Sequence, residues 1–375
     1  MHRILLLGAG KIGRAIAKLL SDSGSYEVVV GDVAEAALRR LAGIPRISTR
    51  VVDVADPAAL HRVMADRQSV ISACSYHSNA GIARVALASG CSYFDLTEDV
   101  ETTRAVRELA TQAVDGQIFM PQCGLAPGFI NIAGHHLTTG FERLDTVKLR
   151  VGALPQFPVG EFKYNLTWST DGLINEYCNP CEVVHEGTKR DVLALEGLEH
   201  FSLDGVDYEA FNTSGGLGTV WETLAGRVRN LDYKTVRYRG HRDLVHFLVD
   251  ELGLRARRDL LKEILEQALP ITLQDVVLVF ITVTGWKSGL LTQVTDARKI
   301  YAAELFGEPW SAIQITTASG MCAVVDLHRE GRLPRQGFVK QEHVDLPTFL
   351  ANRFGANYTA RAQGVGELPL WNPPL

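Results

Sequence analysis

An α/β fold, with a doubly wound parallel sheet followed by a second α+β domain on a mixed sheet, is predicted by three observations. Short apolar runs alternate with helical patterns over roughly the first 120 residues. A glycine-rich turn joins the first run to the first helix. Past Phe141 the strand-like runs lengthen and alternate, with fewer helices between them. The chain has 375 residues, too many for one comfortable core, so two domains are expected.

The first domain reads in order. Ile4–Gly8 is a buried strand closed by glycine, and Ile12–Leu20 carries apolar residues at helical spacing. Tyr26–Gly31 is a second strand ending at Asp32, and the Ala/Leu/Arg-rich stretch Val33–Leu41 a helix. Arg50–Val54 follows as a strand and Pro57–Met64 as a helix, with Asp56 at its N-cap and Pro57 in the first position. Strands Ser69–Ala73, Ser92–Leu96 and Gln117–Met120 then alternate with helices Asn79–Ser89 and Glu101–Val114. Such repeated βαβ units build a parallel sheet with right-handed crossovers. In the second half, Thr146–Val151, Val206–Phe211, Thr235–Arg239 and Val276–Gly285 read as strands. Arg242–Glu251, Arg258–Ala268 and Trp310–Glu330 read as helices. The stretch after Ala360, ending in Pro373-Pro374, is expected to be loosely held.

Composition narrows the function. Hydrophobic residues are 46% and charged residues 22% of the chain, and the net charge is −5. That balance argues against nucleic acid or an anionic membrane as the main partner. No apolar run approaches the ~20 residues of a membrane span, and no signal segment is recognised, so a cytoplasmic location is the expectation. The six cysteines are scattered, which argues against a disulfide framework. Cys178 and Cys181 have C-x-x-C spacing but lack a second ligand pair, so they are read as an ordinary turn, with a redox pair as the alternative. No metal site is expected.

Gly8-Ala9-Gly10-Lys11-Ile12-Gly13 matches G-x-G-x-x-G, and its place between strand and helix gives the match force. Gly8 permits the tight turn, Gly10 lets the backbone approach a pyrophosphate, and Gly13 lets helix pack on strand. The N–H groups of Lys11 and Ile12 open the helix where its dipole favours phosphate. An acidic residue is expected about 20 residues on, and Asp32 stands there. Its carboxylate suits both ribose hydroxyls and repels a 2′-phosphate, which favours NAD over NADP, although Arg39 and Arg40 soften the preference. Asp53 is placed to reach the adenine amino group or else to cap a helix.

In such sheets ligands bind outside the carboxyl ends of the strands. Three segments fall there: Ala73-Cys74-Ser75-Tyr76-His77, Asp95–Asp99 and Gln122–Phe129. Cys74 and Ser75 border the cofactor. Hydride transfer needs a group that takes a proton from the atom becoming double-bonded, and Tyr76, His77, Asp95 and Cys123 have that chemistry. Asp95 is the first choice to hold a cationic amine, ionised beside it.

Further stretches carry a likeness: Gly124–Asn131 (G-L-A-P-G-F-I-N), Tyr164–Ser169 continued by Gly172–Tyr177, and Lys234–His241 (K-T-V-R-Y-R-G-H). With Gly8–Gly13 and Asp32, these resemble the saccharopine dehydrogenase-like family, and within it the lysine 6-dehydrogenases, from residue 1 to about residue 345. The resemblance implies a nicotinamide domain over residues 1–128, a substrate and oligomerisation domain over 129–305, a C-terminal helical segment over 306–350 returning to the first domain, and a tail over 351–375. It implies NAD-dependent oxidation of a C–N bond in a small amino acid, with the lysine ε-amine favoured and saccharopine second, and a homodimer or homotetramer. A nucleotide sensor without turnover is the third reading. A zwitterionic substrate needs a cation for its carboxylate. Lys163, Tyr164, Trp168, Arg237, Arg239 and His241 are supplied by the last two motifs, with Arg239 or His241 expected to hold the carboxylate and Trp168 to wall the pocket.

Overall fold

A computed structural model describes residues 1–359. The chain forms two compact units, one built from residues 1–132 and 317–357, the other from residues 133–316 and resuming at Tyr358.

The first unit opens with β1 (His2–Leu7), α1 (Lys11–Asp22), β2 (Tyr26–Asp32), α2 (Glu35–Arg39), β3 (Ile47–Val51), α3 (Pro57–Met64), β4 (Ser69–Ser72), α4 (Tyr76–Ala88), β5 (Ser92–Asp95), α5 (Val100–Ala110) and β6 (Ile118–Met120). Ile4 to Leu7 are buried on both faces, as a central strand of a parallel sheet requires. Asp56 caps α3 by accepting from the N–H groups of Ala58 and Ala59. β3 lies three residues earlier than the expected Arg50–Val54. It is an edge strand paired only with β2, and its mixed exposure leaves no apolar run to mark it.

Next come α6 (Phe129–Thr138), β7 (Arg143–Pro155), α7 (Thr170–Cys178), β8 (Cys181–His185), β9 (Thr188–Val192), β10 (Glu199–Leu203), β11 (Val206–Asn212), α8 (Val220–Thr223), β12 (Val228–Tyr238), α9 (His241–His246), α10 (Arg258–Ala268), β13 (Asp275–Lys287), β14 (Leu290–Tyr301), β15 (Ala303–Leu305) and β16 (Glu308–Trp310). They are followed by α11 (Ala312–Arg329), β17 (Gly337–Phe338) and α12 (Leu346–Ala351).

The first unit's sheet has the order β17-β6-β5-β4-β1-β2-β3 with every pair parallel. Strand order reverses between β1 and β4, the switch point at which such sheets open a ligand crevice. β17 corrects the expectation that residues 306–350 are helical: this segment also supplies the seventh strand, too short at two residues to leave a pattern. Residues 351–359, assigned by sequence to the tail, are folded, with Phe354 and Tyr358 buried and a 3-10 turn at Gly355–Tyr358. The rest of that tail, 360–375, lies outside the described residues.

The second unit holds an eight-stranded mixed sheet, order β10-β11-β12-β7-β13-β14, with β8 and β9 branching from β12. The fold is therefore a parallel Rossmann-type sheet plus a mixed-sheet α+β domain, as the sequence predicts. The mixed sheet curls: β10 is four strands from β13, yet the rings of Phe201 and Phe280 stack at 5.5 Å. Leu154, Tyr208, Val236 and Leu278 fill the hollow. The opposite core joins Leu173, Ile174 and Tyr177 of α7 to Val245 of α9 and Leu261 and Leu265 of α10. Among the described residues no helix is long and apolar enough to cross a membrane.

Candidate functional site

The turn after β1 has the geometry that its glycines demand. Gly8 sits at φ +98, where a Cβ would meet the Ala73 carbonyl oxygen at 2.7 Å. At Gly13 a Cβ would come within 1.9 Å of the Gly8 oxygen, so helix packs directly on turn. Gly10 is different: a Cβ there meets nothing within 4 Å. It is also the N-cap of α1, and no side chain caps that helix. An uncapped helix N-terminus behind an open glycine is a cradle of the size and sign a pyrophosphate needs. The residues present thus fit a dinucleotide, with Gly8, Gly10 and Gly13 shaping the turn and Lys11 and Ile12 opening α1.

Asp32 closes β2 beside this turn. Its Oδ2 accepts from the Ala9 N–H at 2.6 Å and its Oδ1 from Ala34 N–H at 2.8 Å. A carboxylate oxygen has two lone pairs, so both retain acceptor capacity for ribose hydroxyls. Asp53 is exposed and accepts from Ala55 N–H at 2.8 Å, a turn-forming role; the cap of the following helix is Asp56.

The carboxyl ends of β4, β5 and β6 hold the residues expected to do chemistry, in very different states. Ser75 is exposed at the N-cap of α4. Tyr76 and His77 follow in its first turn, half-buried and exposed, with ring centroids 3.9 Å apart. Cys74 is mostly covered, and burial pushes its thiol up to about 11, so it is neutral.

Asp95 is wholly buried. Its carboxylate accepts from the Tyr93 hydroxyl at 2.8 Å, Thr97 N–H at 2.9 Å and Gln122 N–H at 3.1 Å. Burial lifts it to about 6 against those three donors. This differs from its expected part as the anchor for a cationic amine: the carboxylate accepts from Tyr93, Thr97 and Gln122 and ties two loops together. Cys123 is likewise buried, its thiol driven well above the ordinary range by burial and then by Asp95. Its Sγ lies 3.0 Å from the Met120 oxygen, which makes it a poor proton acceptor.

Within the second unit, α7 and β12 bring the two later motifs together. Arg237 is buried, with Nε donating to the Tyr177 hydroxyl at 3.0 Å and its guanidinium 4.8 Å from the Tyr164 ring. Trp168 Nε1 donates to the Tyr164 hydroxyl at 3.3 Å, so Trp168 is a half-buried packing partner here. Two expectations are overturned. β12 ends at Tyr238, and Arg239 beyond it turns outward to a largely exposed pair with Asp207 at 3.8 Å. His241 is fully buried between the Tyr177 hydroxyl and the Phe162 carbonyl, and burial lowers it to about 3. It is neutral and cannot serve as a carboxylate's cation. Lys163 donates to the Arg239 carbonyl at 3.2 Å. Two cations of this motif are buried, Lys234 and Arg237; Arg237, two residues before Arg239, still lies within β12, whereas Arg239 lies past its end.

The cysteines Cys178 and Cys181 are free, buried thiols at the end of α7 and the start of β8. Among the described residues no group of three or more His, Cys, Asp or Glu could hold a metal ion.

A glycine turn, an uncapped helix and an acidic residue at the next strand end, on a doubly wound sheet, define a dinucleotide-binding protein. Residues 4–120 match the model of the saccharopine dehydrogenase NADP binding domain, and residues 124–354 that of the saccharopine dehydrogenase C-terminal domain; the chain belongs to the saccharopine dehydrogenase family. Saccharopine dehydrogenase (NADP(+), L-glutamate-forming) of Pyricularia oryzae is 25% identical over 287 residues, covering 71% of this chain and 60% of that protein. The Saccharomyces cerevisiae protein of the same name is 26% identical over 273 residues, covering 66% and 57%. The chain thus spans about three fifths of the length of the curated relatives it matches. In fold it is similar to the apo histidine-tagged saccharopine dehydrogenase (L-Glu forming) from Saccharomyces cerevisiae, with a TM-score of 0.77, 16% identity and 96% of each chain covered.

Proposed function

We propose that this chain is an NAD(P)-dependent oxidoreductase acting on the C–N bond of an amino acid, with the ε-amine of L-lysine as substrate and NAD as the preferred cofactor. The observation that carries the reading is the open cradle at Gly10 with Asp32 beside it, in the same unit as the accessible Tyr76–His77 pair at the end of β4. The bound nicotinamide supplies a hydride acceptor. The protein's own part is to bind the amine uncharged, take its proton and admit water. Tyr76 and His77 are the accessible titratable side chains among the four sequence candidates, and we assign proton acceptance to them. Loss of hydride and proton leaves an imine; water converts it to the semialdehyde and ammonium, and the semialdehyde cyclises.

Lysine is favoured over saccharopine by the fate of the cations. Saccharopine carries three carboxylates and asks for several free cations. Arg150 is buried between Glu199 and Asp232, Lys148 pairs with Glu199 at 3.7 Å, and Lys163 is bound to a carbonyl. The names of the relatives favour the saccharopine reading instead. NAD is favoured because Asp32 repels a 2′-phosphate. A homodimer or homotetramer is part of the proposal.

The test is absorbance in the reduced-nicotinamide band, with purified protein, NAD or NADP, and L-lysine, ornithine, saccharopine and carboxylated polyamines. NAD reduction with lysine supports the reading. Turnover with saccharopine alone transfers it to the second substrate, and silence with a bound dinucleotide leaves either a substrate outside the panel or a sensor.

A further inference from the structure

The segment after β6 is held in a conformation that its residues do not favour by themselves. Gln122 has φ +66, left-handed for a residue with a Cβ, and such strain persists only where surroundings over-determine it. From the β5 side, the Asp95 carboxylate takes the Gln122 N–H, and the Asp95 carbonyl takes the Cys123 N–H at 2.8 Å. From the returning C-terminal segment comes Gln341, only 2% exposed, in the 3-10 turn Gln341–His343. Its Nε2 donates to the Pro121 carbonyl at 2.9 Å and lies 3.5 Å from Cys123 Sγ.

The orientation of this amide is informative. Its Oε1 is buried with no hydrogen-bond partner. Flipping the amide would set that oxygen against the Pro121 carbonyl oxygen, so the two donors fix it and the acceptor is left unsatisfied. The donors of this amide, not its acceptor, make its contacts. Those donors hold the turn at a strand end where parallel sheets present ligands. They also hold the Cys123 thiol directed to Met120 O.

We propose that Gln341 is a positioning residue of the reacting end of the dinucleotide site, fixing residues 121–128 through Pro121 and Cys123 and keeping the Cys123 sulfur out of the chemistry. This rests on the oxidoreductase reading above. No motif pointed to Gln341, since it lies more than 200 residues from the turn it supports.

Full-length Gln341→Leu and Gln341→Glu test it by two readouts. The first is alkylation of Cys123 by iodoacetamide, followed by peptide mass spectrometry, with buried Cys91 and Cys322 as internal controls. The second is the split between kcat and KM. Gln341→Leu is expected to speed Cys123 alkylation at least tenfold, leave both controls unchanged, and lower kcat about tenfold at unchanged NAD affinity. In Gln341→Glu, Cys123 alkylation is expected to rise with pH more steeply than in the native protein, as the carboxyl loses the proton with which it donates. Equal acceleration of all three cysteines in both variants would mean that Gln341 only holds the fold, and unchanged Cys123 reactivity would mean that it holds nothing; either overturns the proposal. If the native protein turns over no substrate, the oxidoreductase reading falls, while the cysteine readout still decides the clamp.

Discussion

The Tyr177 hydroxyl lies 3.0 Å from Nε2 of His241 and 3.0 Å from Nε of Arg237. Arg237 can only donate, so Tyr177 accepts from it and gives its own proton to His241. His241 then carries its proton on Nδ1, where it meets the Phe162 carbonyl at 2.9 Å. Four residues, three of them from two motif stretches and the fourth Phe162, form one directed chain.

Removing the middle of that chain strands two buried nitrogens, Nε of Arg237 and Nε2 of His241. Tyr177→Phe is expected to destabilise the protein by ~1–3 kcal/mol for each group stranded. Thermal denaturation followed by circular dichroism measures it; a melting temperature unchanged within error contradicts the chain's importance.

Acid should strain the same chain. His241 is held neutral to about pH 3, whereas in the unfolded chain it takes a proton near 6.5. The unfolded state therefore binds more protons between those values, and stability falls as pH drops from about 6.5 toward 3. His2 and His328 are lowered to about 4 and act in the same direction. His241→Gln should flatten the fall of melting temperature between pH 6.5 and 4 without abolishing it; a slope equal to the native one speaks against a neutral buried imidazole.

Asp32 touches both the turn and, on our reading, the ribose. Asp32→Ala should weaken NAD binding about tenfold or more, the loss expected for one charge-assisted hydrogen bond, and weaken NADP binding less. Fluorescence titration with both dinucleotides reads the ratio. Unchanged NAD affinity would place the cofactor elsewhere.

Tyr76→Phe and His77→Ala separate the proton acceptor from its neighbour. The variant that removes the acceptor should lose 10²–10⁴-fold in kcat, the usual worth of positioned acid–base catalysis, and lose one limb of the pH–rate profile. If both variants keep the native profile, the proton goes to another group.

The fold was legible because its signals are local. The run Ile4–Leu7, the glycine turn and Asp56 each announce their role within a few residues. β14 was not anticipated, since its outer edge is unpaired and half its residues are polar, which blunts the alternation. The site was legible by type but not by state. Sequence names Asp95, Cys123 and His241 as chemically able residues, and only tertiary burial decides that the first is a clamp, the second a locked thiol and the third a neutral link. Arg237 and Arg239 share a motif, and what separates them is that the strand stops at Tyr238.

The pairing of β17 with β6 bears on synthesis as well as on architecture. During translation the first six parallel strands emerge early, yet Gly337 and Phe338, which cover the β6 edge, follow only after residues 133–316 of the second unit have been made. Until then Ile118 and Phe119 present an open, apolar strand margin, the kind of surface that recruits other nascent chains. Chains stopped short of residue 337 should accordingly be insoluble or chaperone-bound, even with every glycine and acid of the cofactor turn in place.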